Sequence, residues 1–258
     1  MASLVFRAVA YLLAIIAAED FTNEINPVVG LILHTTIFFV AIVDAATSTD
    51  NLRGALLLTL ALAPLVRILS LILPLANISQ IWWYPAIYVP LITAATAAAV
   101  VLKYRASEIG LTLKGWGWQI LLTPVGLGLG YLEYQILQPE PIVSELTWQA
   151  VWLPALILIV CTGFGEEFIF RGLMQKSAID AMGTWGIIYI SLVFAALHLG
   201  WVLSPDAGPI AWLDIAFVFV VASVFGLIVK KSGSLLGVAL VHGMTNVTLF
   251  ILAPLMVG

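Results

Sequence analysis

The sequence predicts an all-α fold, a polytopic transmembrane helical bundle of eight to nine spans. Three observations carry that prediction. Of the 258 residues, 62% are hydrophobic and 9% are charged, with a mean hydropathy of +1.12. A soluble domain carries about 25% charged residues, so this composition belongs to a chain that faces lipid. The apolar residues fall in runs of about 20, the length a helix needs to cross a hydrocarbon layer. Alternating strand patterns are absent, and a helix is the open-ended way to satisfy a backbone in lipid.

Nine candidate spans follow in order, at about 4–18, 27–46, 54–76, 83–102, 118–137, 148–175, 184–203, 209–229 and 235–256. Turn and charge signals separate them: Glu19-Asp20 to Pro27, Ser48 to Arg53, Asn77-Ile78-Ser79, Lys103 to Lys114, Pro139-Glu140-Pro141, Gly183, Pro205 to Pro209, and Lys230-Lys231-Ser232-Gly233. The first run, Leu4 to Ala18, has no small-residue cleavage site and is followed by many others, so it reads as a retained helix. Its shortness leaves a count of eight open.

Lys and Arg near span ends set orientation. Arg53, the group Lys103, Arg105 and Lys114, then Lys176, and finally Lys230 with Lys231 occupy the even-numbered loops. The odd-numbered loops carry Glu19, Asp20, Glu24, Glu140, Glu145 and Asp206 without Lys or Arg. The chain is therefore expected to be an integral, multi-pass protein with a cytoplasmic N-terminus; the expected location is a prokaryotic cell membrane. No basic tract offers a nucleic-acid surface, and the single cysteine, Cys161, excludes an internal disulfide. Residues 1–117 read as accessory helices with a cytoplasmic loop, and residues 118–258 as the core that carries the chemistry.

That core is organised around Gly165-Glu166-Glu167-Phe168-Ile169-Phe170-Arg171-Gly172. An ionisable group at membrane depth costs roughly 3 kcal/mol on insertion scales and marks a functional candidate. Residues four apart share a helix face, so Glu167 can brace Arg171 while Glu166, about 100° away, is left free as the working carboxylate. Phe194 and His198 share a face in the same way, as do His242 and Asn246. Depth agrees. Glu166 precedes the expected turn at Gly183 by 17 residues and His198 follows it by 15, so the two are nearly level in a hairpin. At a rise of about 1.5 Å per residue, Glu166 lies about 15 Å from Lys176 and His242 about 16 Å from Lys231. The groups can converge, in a reading that places them in the cytoplasmic half of the membrane.

A carboxylate with an imidazole beside it can deprotonate a water for attack on an amide. A second His and an Asn amide can donate to the oxyanion that forms. The same Glu166, His198 and His242 could instead hold Zn2+ with an open fourth position. Residue types alone leave both chemistries open.

Glu166-Glu167-xxx-Arg171, Phe194-xxx-His198 and His242-xxx-Asn246, in that order on successive helices, resemble the CPBP family of intramembrane proteases. That family includes the type II CaaX prenyl endopeptidases and the Abi bacteriocin-processing and self-immunity proteins. The resemblance covers about residues 118–257 and includes a Phe170-Arg171-Gly172 similar to the family's usual FRG. It implies an eight-helix-like bundle that cleaves a peptide bond of a membrane-bound or prenylated substrate near the cytoplasmic leaflet. By position, Glu166 and His198 would activate the water, and His242 and Asn246 would stabilise the oxyanion. Glu167 and Arg171, with Phe194, would support the site or hold the substrate terminus. The resemblance favours a glutamate-type reaction without a metal, with zinc as the alternative.

Plainer roles compete at each position. Glu166, Glu167 and Arg171 could form a structural ion-pair cluster, His198 and His242 could be core histidines, and Asn246 could bridge helices. His34 reads as structural. Arg67, mid-span, must face the interior and is expected to pair with Asp44 or Glu133. Arg7 can snorkel to the interface, and Trp82, Trp83, Trp148 and Trp152 read as belt residues. Two other function classes remain beside the protease: a catalytically silent immunity or peptide-binding membrane protein, and a proton-coupled transporter. The transporter lacks the expected inverted repeat.

Overall fold

The computed structural model describes residues 2–203 and 209–257; the expected boundary at Pro205 and the loop acid Asp206 lie outside them. The described residues form nine helical segments and no strands. These are α1 (Ala2–Asp20), α2 (Pro27–Ala46), α3 (Asn51–Ile72), α4 (Gln80–Val101), α5 (Trp116–Leu137), α6 (Trp148–Met182), α7 (Trp185–Ala196), α8 (Trp212–Ser232) and α9 (Leu236–Val257). A single turn, Leu199–Val202, follows α7. Seven of the segments, α2 to α6 with α8 and α9, are long and apolar enough to cross a membrane. The other two expected spans are the 19-residue α1 and the 12-residue α7.

Local chemistry explains the boundaries. α2 starts at Pro27, with the Asn26 side chain accepting from Val28 N at 2.7 Å; Pro suits a first helical position because its missing N–H would have had no partner there. The Asp50 carboxylate caps the amides of Leu52 and Arg53 ahead of α3. α6 and α8 end at Gly183 and Gly233, both at positive φ, a conformation that suits a residue without Cβ. Large apolar side chains such as Phe6, Val100 and Leu121 point outward, which suits a lipid-facing surface. Inside, one hydrophobic core runs from Ala8 of α1 to Val241 of α9 and joins both halves of the chain.

Two features position the site. The first is a close crossing of α6 and α9. A Cβ on Gly163 would lie 2.6 Å from Ala239 O and 2.7 Å from Gly243 Cα. The two backbones can approach this closely because neither residue carries a side chain, as at small-residue crossings in membranes. The second is the winding of α6, whose Leu158–Glu166 and Phe168–Met174 stretches adopt wide π-type turns. A regular α-helix was expected there. Such widened turns recur at functional sites, because they re-aim side chains that a regular helix would space evenly.

The loops sort to two ends. Lys230 Nζ donates to Thr184 Oγ1 at 2.7 Å, and Leu235 N to Gly110 O at 2.9 Å, which gathers the Lys- and Arg-bearing connections on one face. The opposite face carries the 73–79 turn and the 138–147 segment, the latter pinned by Ile142 N to Phe250 O at 3.0 Å.

Several polar pairings in the first helices differ from expectation. Arg67 pairs with neither Asp44 nor Glu133. Its Nε and Nη2 donate to Glu19 at 2.9 and 2.6 Å, which places both hydrogen bonds on one carboxylate. Asp44 is taken by Arg7 and by Tyr11 at 3.2 Å, so Arg7 is an ion-pair partner and not simply a snorkelling cation. His34 is fully buried with its Nε2 3.4 Å from Glu19 Oε1.

Candidate active site

α6, α7 and α9 bring the motif residues to one internal cavity of about 460 Å³. Glu166, Arg171, Phe194, His198, His242 and Asn246 all line it. Glu167 lies behind that surface, fully buried.

Glu167 is the hub of the constellation. Its Oε1 lies 3.1 Å from Arg171 Nη1, the expected brace at i and i+4, and 2.7 Å from His242 Nδ1. A carboxylate oxygen only accepts, so His242 donates through Nδ1–H and its Nε2 is turned toward Glu166, 3.7 Å from Oε2. The Arg171 guanidinium also lies over the Phe194 ring at 4.3 Å, a cation–π contact. Phe194 in turn packs against His198 at 4.7 Å and His242 at 6.2 Å, between centroids, and Phe225 meets His242 at 6.3 Å.

His198 is held differently. Its Nδ1 is 2.9 Å from the Phe194 carbonyl, four residues back on the same helix. That oxygen also only accepts, so Nδ1 carries the proton and Nε2 keeps its lone pair. Asn246 donates from Nδ2 to Thr162 Oγ1 at 2.8 Å, while Thr162 itself donates to Leu158 O at 2.6 Å. The second amide hydrogen of Asn246 remains available. Glu166 accepts a hydrogen bond from the hydroxyl of Tyr88, on α4.

Tyr88 and Thr162 escaped the sequence reading. Neither has a motif around it, and a Tyr or Thr in an apolar helix is ordinary. The accessory helices reach the site at a second place. Arg67 Nη2 donates to Leu197 O at 3.1 Å, the residue just before His198. This carbonyl ends α7, where helix carbonyls lack partners in their own helix.

The zinc alternative meets an obstacle in the donor arrangement. Among the described residues, no three His, Cys, Asp or Glu side chains come together as a set that could hold an ion. Glu166, His198 and His242 therefore do not form a ready triad.

The cavity has a direction. Its floor is the Glu166–His242 cluster at mid-helix. From there its walls follow the last turns of α3 and α5, the 73–79 turn and the first two turns of α4 and α8, through Leu71, Leu75, Gln80, Trp83, Leu137 and Phe217. These residues belong to the end of the bundle whose connections carry no Lys or Arg. The cavity thus extends away from the end at which the Lys- and Arg-bearing connections gather.

Fold and cavity together define an integral, multi-pass membrane protein with a polar site enclosed among its helices. Residues 147–248 match the family model described as type II CAAX prenyl endopeptidase Rce1-like, so this segment is similar to an intramembrane protease family. The matched segment runs from the start of α6 into α9 and contains every motif residue named above. A search of curated proteins and a search of solved structures each return no match.

Proposed function

We propose that this protein is a glutamate-type intramembrane endopeptidase that hydrolyses a peptide bond of a membrane-associated or prenylated substrate. The observation that carries this reading is the single cavity on which Glu166, His198, His242 and Asn246 meet, inside the segment similar to the Rce1-like proteases.

In this reading Glu166 is the general base. It takes a proton from a water lodged between its carboxylate and the Nε2 atoms of His198 and His242, and the hydroxide attacks the scissile carbonyl carbon. The negative charge passes to the carbonyl oxygen, where the free N–H of Asn246 can donate. In its neutral form His242 offers only a lone pair at Nε2, because Nδ1–H is committed to Glu167. It therefore joins the oxyanion hole only when doubly protonated. One donor of this kind lowers the barrier by about 3 kcal/mol. The proton taken by Glu166 then passes to the departing amine, and the carboxylate is regenerated. Residues 118–258 are the catalytic core, with residues 1–117 contributing Tyr88 to Glu166 and Arg67 to the end of α7.

The test is cleavage in liposomes of farnesylated and unmodified CaaX peptides by wild type and Glu166→Gln, with and without a chelator. Cleavage lost in the variant and untouched by the chelator is the expected result. Chelator sensitivity would replace the metal-free step. Absence of cleavage by folded wild type would leave a peptide-binding or immunity protein in its place.

A further inference from the structure

The catalytic cluster occupies the floor of the cavity and leaves its upper part unexplained. Two more carboxylates stand there. Glu133 projects from α5 and Asp214 from the first turn of α8, and both line the same cavity as Glu166. Asp214 is fully buried, and neither of its carboxylate oxygens has a hydrogen-bond partner among the described residues. Glu133 is also buried, and the charges it meets are those of Asp214 and Glu166, both negative. A buried carboxylate is held as an ion only where a partner compensates its charge, because leaving water uncompensated is costly, and a cation brought between these two would supply that partner. The two arginines on the cavity wall are already ion-paired elsewhere, Arg171 with Glu167 and Arg67 with Glu19.

The surroundings say what kind of cation would fit. Two carboxylates without a third donor make a poor metal site, and no three-donor set exists among the described residues. Trp83, Tyr84 and Phe217 stand on the same walls. Aromatic faces beside carboxylates suit an ammonium or guanidinium. The connections around this end add Glu24, Glu140 and Glu145 and no Lys or Arg. A cleft lined by charge of one sign focuses its field and raises the local concentration of the opposite charge.

We infer that Glu133 and Asp214 form a specificity subsite for a positively charged side chain, Lys or Arg, of the peptide substrate. The subsite rests on the protease reading for its role but not for its binding. A substrate peptide would place its scissile bond on the Glu166–His242 floor and a basic residue between the two carboxylates. The preference for a basic residue would then hold at one fixed distance along the peptide.

The experiment uses a series of fluorescent, otherwise uncharged apolar peptides in which one lysine is moved residue by residue. Matched peptides carry acetyl-lysine at the same places. Binding is measured by anisotropy on detergent-solubilised Glu166→Gln protein, and cleavage on wild type in liposomes. The expected result is one register at which lysine binds at least about tenfold more tightly than acetyl-lysine, about 1.4 kcal/mol. That preference should shrink in Asp214→Asn and vanish when Glu133→Gln is added. Equal binding of lysine and acetyl-lysine peptides at every register overturns the subsite, as does a preference that survives in the double variant. Should that variant not fold, the lysine against acetyl-lysine comparison on the unaltered subsite still decides. Cleavage without any lysine preference would sink the subsite and leave the protease; a lysine preference without cleavage would do the reverse.

Discussion

Nδ1 of His242 lies 2.7 Å from the same carboxylate oxygen of Glu167 that Arg171 Nη1 approaches at 3.1 Å. One buried oxygen thus fixes the tautomer of an imidazole and the position of a guanidinium at once. Adjacent carboxylates on α6 therefore have different surroundings. Glu167 is enclosed and shares one oxygen between Arg171 and His242, whereas Glu166 meets the cavity and is held by Tyr88 alone at short range.

The two carboxylates should therefore fail differently. Glu166→Gln removes the base and should abolish peptide cleavage, a loss of at least about 10³-fold. Glu167→Gln keeps an oxygen near His242 but gives up the charge that Arg171 requires. A hydrogen bond to a charged group contributes about 1.5–3 kcal/mol, so cleavage should fall by about 10- to 100-fold while some turnover survives. Initial rates on one peptide, measured for both variants beside wild type, check the ranking. Equal losses would mean that the two carboxylates act as one unit.

Tyr88→Phe should be milder. It removes the hydroxyl that meets Glu166 and keeps the ring in the core. A loss of about tenfold in kcat with KM nearly unchanged is expected from one hydrogen bond to a charged group. Equal activity in wild type and Tyr88→Phe would show that this hydroxyl does not position the base.

How much of this was legible in the sequence follows from the range of each interaction. The helix count, the hairpin at Gly183 and the shared faces of Glu167 with Arg171 and of Phe194 with His198 depend on neighbours in the chain. Periodicity and turn residues disclose them. The hub at Glu167 was half visible: Arg171 lies four residues away, whereas His242 comes from α9 and reaches it through the Gly163–Gly243 crossing. Tyr88 joins Glu166 across 78 positions of sequence and Arg67 joins Glu19 across 48. No local pattern encodes such pairs, and the expectation for Arg67 failed for that reason. The π-type turns of α6 were hidden too, because a widened turn has no residue signature in an apolar run.

The Arg67–Glu19 pair makes a stability prediction. Removing one partner of an ion pair whose carboxylate is fully buried leaves a charge without compensation, at about 3–5 kcal/mol. Arg67→Met should therefore lower the melting temperature of the detergent-solubilised protein clearly, and adding Glu19→Gln should recover part of the loss. If Arg67 also holds the end of α7 through Leu197 O, cleavage by the double variant should stay reduced after stability has been recovered. Recovery of both together would limit Arg67 to a structural role.

At the crossing of α6 and α9, Gly163→Val would place side-chain carbon where Ala239 O and Gly243 Cα already stand. The helices must separate, and with them Glu166 and Glu167 from His242. Cleavage should be lost even where the protein remains folded by circular dichroism, because a displacement of about 1 Å in such a site costs about 100-fold. Gly163→Ala should show the same effect at smaller size. Full activity in the valine variant would mean that the crossing does not set the geometry of the site.

The direction of the cavity yields the last prediction. Lys and Arg gather at one end of the bundle, the end that the bias of cytoplasmic loops toward positive charge would turn inward. The walls of the cavity run to the other end, where Gln80 is exposed beside its upper wall. If charge bias governs orientation, a cysteine at position 80 should react with a membrane-impermeant maleimide added outside intact cells, and one at the exposed Arg105 should not. The natural Cys161 is buried and leaves a low background. Such labelling would mean that substrate reaches Glu166 from the side away from the cytoplasm, along a face rich in carboxylates. The opposite labelling would turn the cavity toward the cytoplasm and show that the acidic connections, not the basic ones, lie inside in this chain. Either outcome fixes the compartment in which the substrate must be sought, since the cavity floor is shared by both orientations and only its mouth changes sides.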